Sequence, residues 1–174
     1  MSLQPHIQLS KEMTGARYAL LPGDPQRVDR IANFLDNPQP LGQNREFRAA
    51  RGWYQGVEIL VLSTGIGGPS TAIAIEELRQ IGVTTLIRIG SCGALQDNLA
   101  LGDVIIAHAA LMTIGALRGL RTASLLNVVV AHNGCLDSSI NDYVQQEALC
   151  QQGEERQITL ALRAIYSASQ QGGL

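Results

Sequence analysis

The stretch Val83-Thr84-Thr85-Leu86-Ile87-Arg88-Ile89-Gly90-Ser91-Cys92-Gly93 decides how the rest of the chain reads. Val83 to Ile89 is an apolar run of strand length, closed by Gly90-Ser91-Cys92-Gly93. A continuous apolar run, rather than an alternating one, predicts a strand buried on both faces, as in parallel sheets. Arg88 interrupts it. A guanidinium inside such a strand is costly unless a carboxylate or a bound anion meets it. Glu76, Glu77 and Asp103 are the candidate carboxylates, so a structural ion pair and an anion site both stay open. Ser91 adds a hydroxyl and a backbone N–H in the same small space.

Toward the N-terminus, Tyr18-Ala19-Leu20-Leu21 is a second apolar run, stopped by Pro22-Gly23-Asp24-Pro25. Residues 1–16 before it read as polar and irregular. A helix should follow the stop, with Asp24 as N-cap and Pro25 in the first turn. Val28, Ile31, Ala32 and Leu35 then share one face, and Asn37-Pro38 and Pro40 end the helix. Arg45–Trp53 and Val57–Ser63 read as a hairpin around Tyr54-Gln55-Gly56. A glycine-rich turn, Thr64 to Pro69, precedes a helix over Ser70–Gln80.

Toward the C-terminus, Leu101-Gly102-Asp103 leads into a strand over Val104–Ala107. A short helix (Leu111–Arg118), a strand (Thr122–Val130) and a turn at Asn133-Gly134 come next. A last helix over Glu154–Ser169 shows its spacing at Ile158, Ala161, Leu162 and Ile165. Strands alternating with helices predict an α/β fold: a single domain whose mixed, mostly parallel central β-sheet is flanked by helices. No internal repeat or linker divides it.

Composition agrees. The chain has 174 residues, 45% hydrophobic, 16% charged and 4% aromatic, with a net charge of -2. A chain of this size buries about two-thirds of its unfolded surface, enough for one core without staples. No run approaches the roughly 18 apolar residues of a membrane helix. No charged-then-apolar leader opens the sequence, which predicts a cytoplasmic protein. Three widely spaced cysteines (Cys92, Cys135 and Cys150) argue for reduced thiols over a disulfide framework or a zinc site. Lys11 is the only lysine among 13 basic residues. Dispersed arginines, scarce aromatics and a slightly acidic balance argue against a nucleic-acid groove and for a small anionic ligand.

In α/β folds ligands gather at the carboxyl ends of the strands, and three such ends stand out. At Pro22-Gly23-Asp24-Pro25, backbone N–H groups meet a helix start, with Arg27 and Arg30 in its first turns. Cations there oppose the helix dipole unless an anion is present. Gly65-Ile66-Gly67-Gly68-Pro69-Ser70 fits neither G-x-G-x-x-G nor a Walker loop, which disfavours a dinucleotide-binding redox module. The third end is Arg88 to Gly93. His6, His108 and His132 stand in no metal or catalytic motif, and Cys92 reads as a small packed residue rather than a nucleophile.

Taken in order, Pro22-Gly23-Asp24-Pro25-x-Arg27, Arg45-Glu46-Phe47, Ser63-Thr64-Gly65-Ile66-Gly67-Gly68-Pro69-Ser70-Thr71, Arg88-Ile89-Gly90-Ser91-Cys92-Gly93-Ala94 and Leu101-Gly102-Asp103-Val104 resemble the nucleoside phosphorylase family of the hexameric type. The likeness is strong from about residue 6 to 108. The Gly65–Thr71 run is most like the uridine phosphorylases, whereas Ser91-Cys92-Gly93 is more like the purine enzymes. The resemblance implies a pentosyltransferase of nucleoside catabolism, with phosphate as co-substrate and no required cofactor. Phosphate attacks the anomeric carbon, giving ribose 1-phosphate and free base. By resemblance, Gly23, Arg27, Arg88 and Ser91 bind phosphate, and Arg45 reaches in from a neighbouring subunit. His6 of that neighbour touches the ribose, and Ser91, Cys92 and Gly93 line the nucleoside. Glu46, Ile66 and Ser70 match positions that hold a monovalent cation between subunits in some members. The implied assembly is a homo-oligomer, at least a dimer and by family type a hexamer.

The resemblance breaks near residues 109–111. After His108-Ala109-Ala110 the family carries a long stretch with base-recognising residues and a Met-Glu motif that holds the ribose hydroxyls. Here Leu111-Met112-Thr113-Ile114-Gly115 follows directly and resembles the helix after that motif. The expected reading is one phosphorylase-like domain over 1–174, lacking an internal segment near 109–111. Either the full protein carries that block or the gene product lacks it. Deleting central structure from a sheet exposes apolar surface, which favours the first and predicts an intact mass well above 18.7 kDa. A phosphate-binding assembly protein without turnover and a purine nucleoside phosphorylase are the alternative functions.

Overall fold

The computed structural model describes residues 3–107, 113–132 and 147–171. His108, the 109–111 junction, the Asn133-Gly134 turn and Cys135 lie outside the described residues. Seven strands form one sheet: β1 (Tyr18–Pro22), β2 (Asp36–Asn44), β3 (Phe47–Tyr54), β4 (Val57–Leu62), β5 (Thr85–Gly93), β6 (Val104–Ile106) and β7 (Arg121–Val130), in the order β2-β3-β4-β1-β5-β7-β6. The four middle strands, β4-β1-β5-β7, run parallel. Antiparallel pairs finish both flanks. This is the mixed α/β sheet the apolar runs predict.

Both faces of the middle strands are covered, which is why those runs do not alternate. On one face, helix α2 (Gly68–Ile81) packs Ala74, Ile75, Leu78 and Ile81 against Leu21, Leu60, Leu62 and Leu86. On the other, helices α1 (Gln26–Ala32) and α4 (Glu147–Gln170) press Val28, Ile31, Ile158, Ala161, Leu162 and Ile165 onto Leu20, Ile59, Val61, Ile87 and Ile89. Each such side chain stabilises the fold by roughly 1.5–3 kcal/mol on burial. The short helix α3 (Thr113–Leu117) adds Ile114 to the α2 side.

Four local expectations need correction. Residues 36–44 form strand β2 rather than a helix terminator. It is the exposed edge of the sheet, where prolines 38 and 40 withhold no N–H from an inner ladder. Helix α1 stops at Ala32, although Leu35 still packs on the same face. Its cap position is Pro25, and the Asp24 carboxylate instead accepts the Gln26 N–H at 2.9 Å. Helix α4 begins at Glu147, well before Glu154. Within the polar N-terminal segment, Ile7 and Leu9 are buried in the core.

Candidate functional site

The sheet order brings the three glycine-marked strand ends side by side. β1 lies between β4 and β5, so Pro22-Gly23, Thr64-Gly65 and Ile89-Gly90-Ser91 share one carboxyl edge. Backbone bonds tie the first two: Thr64 N–H to Pro22 O at 3.0 Å and Gly65 N–H to Gly23 O at 2.9 Å.

Arg88 sits opposite Leu21 in the β1–β5 register and is half-buried. Its Nη1 donates to Leu21 O at 3.2 Å and to Thr64 Oγ1 at 3.3 Å. None of its expected carboxylates reaches it. Glu76 pairs with Arg118, Glu77 binds the His6 and Ile7 N–H groups, and Asp103 accepts from Ala100 N–H. Among the described residues no acidic side chain neutralises Arg88. Burial, and after it the nearby Arg27 charge, lowers its pKa from the ordinary value. Arginine stays protonated regardless, so the edge carries positive charge that an anion would offset.

Gly23 faces this guanidinium closely. A methyl group there would stand 3.2 Å from Arg88 Nη2 and 3.3 Å from Gly65 O. Only a residue without Cβ leaves the backbone and the fork together at this edge.

Arg27, from α1, reaches the same edge by a different balance. Its Nε donates to Glu154 Oε1 at 2.6 Å, Nη1 to Ile89 O at 3.2 Å and Nη2 to Gln157 Oε1 at 3.3 Å. Arg27, Arg30, Ser91, Asn127 and Glu154 line a cavity of about 210 Å³ that Gly23 and Arg88 do not line. Ser91 is exposed there, whereas Cys92 is half-buried and its thiol is pushed up by burial. A protonated thiol is no nucleophile at neutral pH. Gly93 lies at the register shift where β5 leaves β7.

The remaining predicted residues form a second group next to Gly65. Gly65 has φ +66°, and a Cβ there would meet Glu46 Cγ at 2.8 Å. Ser70 Oγ lies 2.8 Å from Glu46 Oε1 and also bonds Thr64 O. The Glu46 carboxyl is held below its usual range by its own backbone N–H, then by the Ser70 hydroxyl, and more weakly by Arg45 and His6. Ile66 projects fully into solvent. Arg45 is exposed at the β2–β3 tip with φ +52°. His6 Nδ1 lies 2.5 Å from Glu77 Oε1, and its carbonyl accepts from Asn44 Nδ2 at 2.7 Å.

Thr64, Glu154 and Gln157 are contributors that the sequence did not single out. Thr64 stood within a quoted motif, and its signal is a hydroxyl at a strand end one strand from Gly23. Glu154 and Gln157 pair with Arg27 across most of the chain, which no local pattern reveals.

Comparison with known proteins supplies the family. The phosphorylase superfamily model matches residues 17–166. Uridine phosphorylase of Haemophilus influenzae is 51% identical over 112 residues, covering 64% of this chain and 44% of that protein. Guanosine phosphorylase of Halorubrum lacusprofundi is 46% identical over 110 residues, covering 63% and 45%. The crystal structure of uridine phosphorylase from Vibrio fischeri ES114 with 6-hydroxy-1-naphthoic acid superposes with TM-score 0.85 at 29% identity, covering 96% of this chain and 98% of that one. The chain spans less than half the length of the curated relatives it matches. It belongs to the phosphorylase superfamily.

Proposed function

We propose that the β4–β1–β5 edge binds inorganic phosphate and that the protein uses it for phosphorolysis of a nucleoside, uridine foremost. The observation that carries this reading is Arg88: a half-buried guanidinium with no carboxylate partner among the described residues, facing Gly23 and Thr64. In the reaction a phosphate oxygen bonds to C1′ as the C1′–N bond breaks. The bonding electrons leave with the base, which takes up a proton. The anion beneath the sugar stabilises the positive charge that develops on the ring. Gly23, Arg27, Arg88 and Ser91 hold the phosphate. Ser91, Cys92 and Gly93 face the nucleoside.

The exposed tip position of Arg45 and the partly exposed His6 suit delivery to a second copy, so the complete site belongs to a homo-oligomer acting in the cytoplasm. Glu46 Oε1, Ser70 Oγ and Thr64 O converge with one hydroxyl proton among them. That leaves an oxygen acceptor free, which suits a monovalent cation; the Ile66 backbone would complete the set. The chain as given lacks an internal base- and ribose-binding segment near 109–111.

A phosphate-binding protein without turnover is the second reading, favoured by the span of less than half its relatives' length. Assaying uridine, guanosine and inosine with and without phosphate separates the readings. Phosphate-dependent release of uracil, in preference to purine bases, is the expected result. Release of guanine or hypoxanthine instead would make it a purine enzyme. Phosphate binding without release of any base would establish the second reading.

A further inference from the structure

Arg27 is aimed by residues that lie outside the phosphate contacts assigned above. A guanidinium has five N–H donors. Glu154 takes the Nε proton, Ile89 O takes one on Nη1 and Gln157 takes one on Nη2. Two N–H groups remain, one on each terminal nitrogen, which is the pair that grips an oxyanion side-on.

Gln157 cannot turn away. It is fully buried, and its Nε2 donates to Gly90 O at 2.8 Å and Leu125 O at 2.6 Å. With both amide protons committed to β5 and β7, its oxygen faces Arg27. Glu154 is similarly constrained, since its Oε2 also accepts from Arg30 Nη1 at 3.3 Å. The Arg27 and Glu154 side chains are only 13% and 15% exposed. Helix α4 is pinned on either side of Glu154: Asn127 Nδ2 donates to Cys150 O at 2.9 Å, and Arg156 Nη2 to Gly102 O at 2.9 Å.

We infer that Glu154 is a positioning residue of the phosphate site, holding Arg27 so that its two remaining N–H groups point at the anion. This rests on the phosphate reading above. Its signature is a sign that electrostatics alone would reverse. Removing a carboxylate beside an anion site raises anion affinity on Coulomb grounds. Removing the group that aims the arginine lowers it, because fixed geometry is lost.

The test titrates inorganic phosphate calorimetrically into the wild-type protein and the variants Glu154→Ala, Glu154→Asp and Glu154→Gln, with unliganded Tm measured for each. Glu154→Ala should weaken binding about tenfold. Glu154→Asp keeps the charge but not the reach and should weaken it several-fold. Glu154→Gln keeps an acceptor for Nε–H and should bind within about threefold of wild type, or tighter. Wild-type or tighter binding by Glu154→Ala overturns the inference. So does wild-type binding by Glu154→Asp, which settles the matter if the alanine variant does not fold. If wild-type protein binds no phosphate, the phosphate reading falls and this inference with it. If wild type binds and the variants do not differ, the inference falls alone.

Discussion

Two arginines meet at one edge of the sheet, and their surroundings differ in kind. Arg88 rises from the middle of β5 among backbone carbonyls and a threonine hydroxyl, with no acidic side chain on it among the described residues. Arg27 projects from α1 into the seam with α4 and is bound by Glu154. The first keeps its charge for a ligand at some expense to stability, because burial opposes it. The second is already neutralised, and most of its donors are committed. One edge therefore combines a guanidinium that lacks a counter-charge with one held rigid by its own, a division between attracting an anion and orienting it.

That division predicts opposite responses to the same truncation. Arg27→Ala strips the partner from a mostly buried carboxylate, and Arg30 is too exposed to replace it. Stability should fall by about 3 kcal/mol, read from denaturant midpoints, together with weaker phosphate binding. An unchanged midpoint would break the contrast, because the seam would then carry no structural load. Thr64→Val, on the other side of the comparison, removes one acceptor from Arg88 while keeping the shape. The loss of one net hydrogen bond, about 1 kcal/mol, should weaken phosphate binding roughly fivefold by calorimetry. An effect on stability larger than that on binding would place Thr64 with the core instead of the site.

The edge was more legible in the sequence than the seam. Strand ends announce themselves locally: Pro22-Gly23, Thr64-Gly65 and Gly90 each interrupt an apolar run, and the parallel order then sets them side by side. Arg88 was visible because it breaks such a run. Strand β2 was hidden because its prolines mimic a stop signal and its exposed residues leave no apolar alternation to read. The start of α4 was hidden because Glu147 to Gly153 is largely polar and carries a glycine. The Arg27–Glu154 pair joins residues 127 apart, and only the folded chain selects Glu154 over its neighbour Glu155.

The central claim is that Arg88 holds its charge for phosphate. The direct test is calorimetric titration of phosphate into the wild-type and Arg88→Ala proteins, with unliganded Tm measured alongside. The account predicts measurable wild-type binding, a loss of about a hundredfold or more in the variant, and an unliganded Tm that is unchanged or higher because a buried charge has gone. Phosphate binding at wild-type strength in Arg88→Ala, or a marked fall in its unliganded Tm, would contradict it.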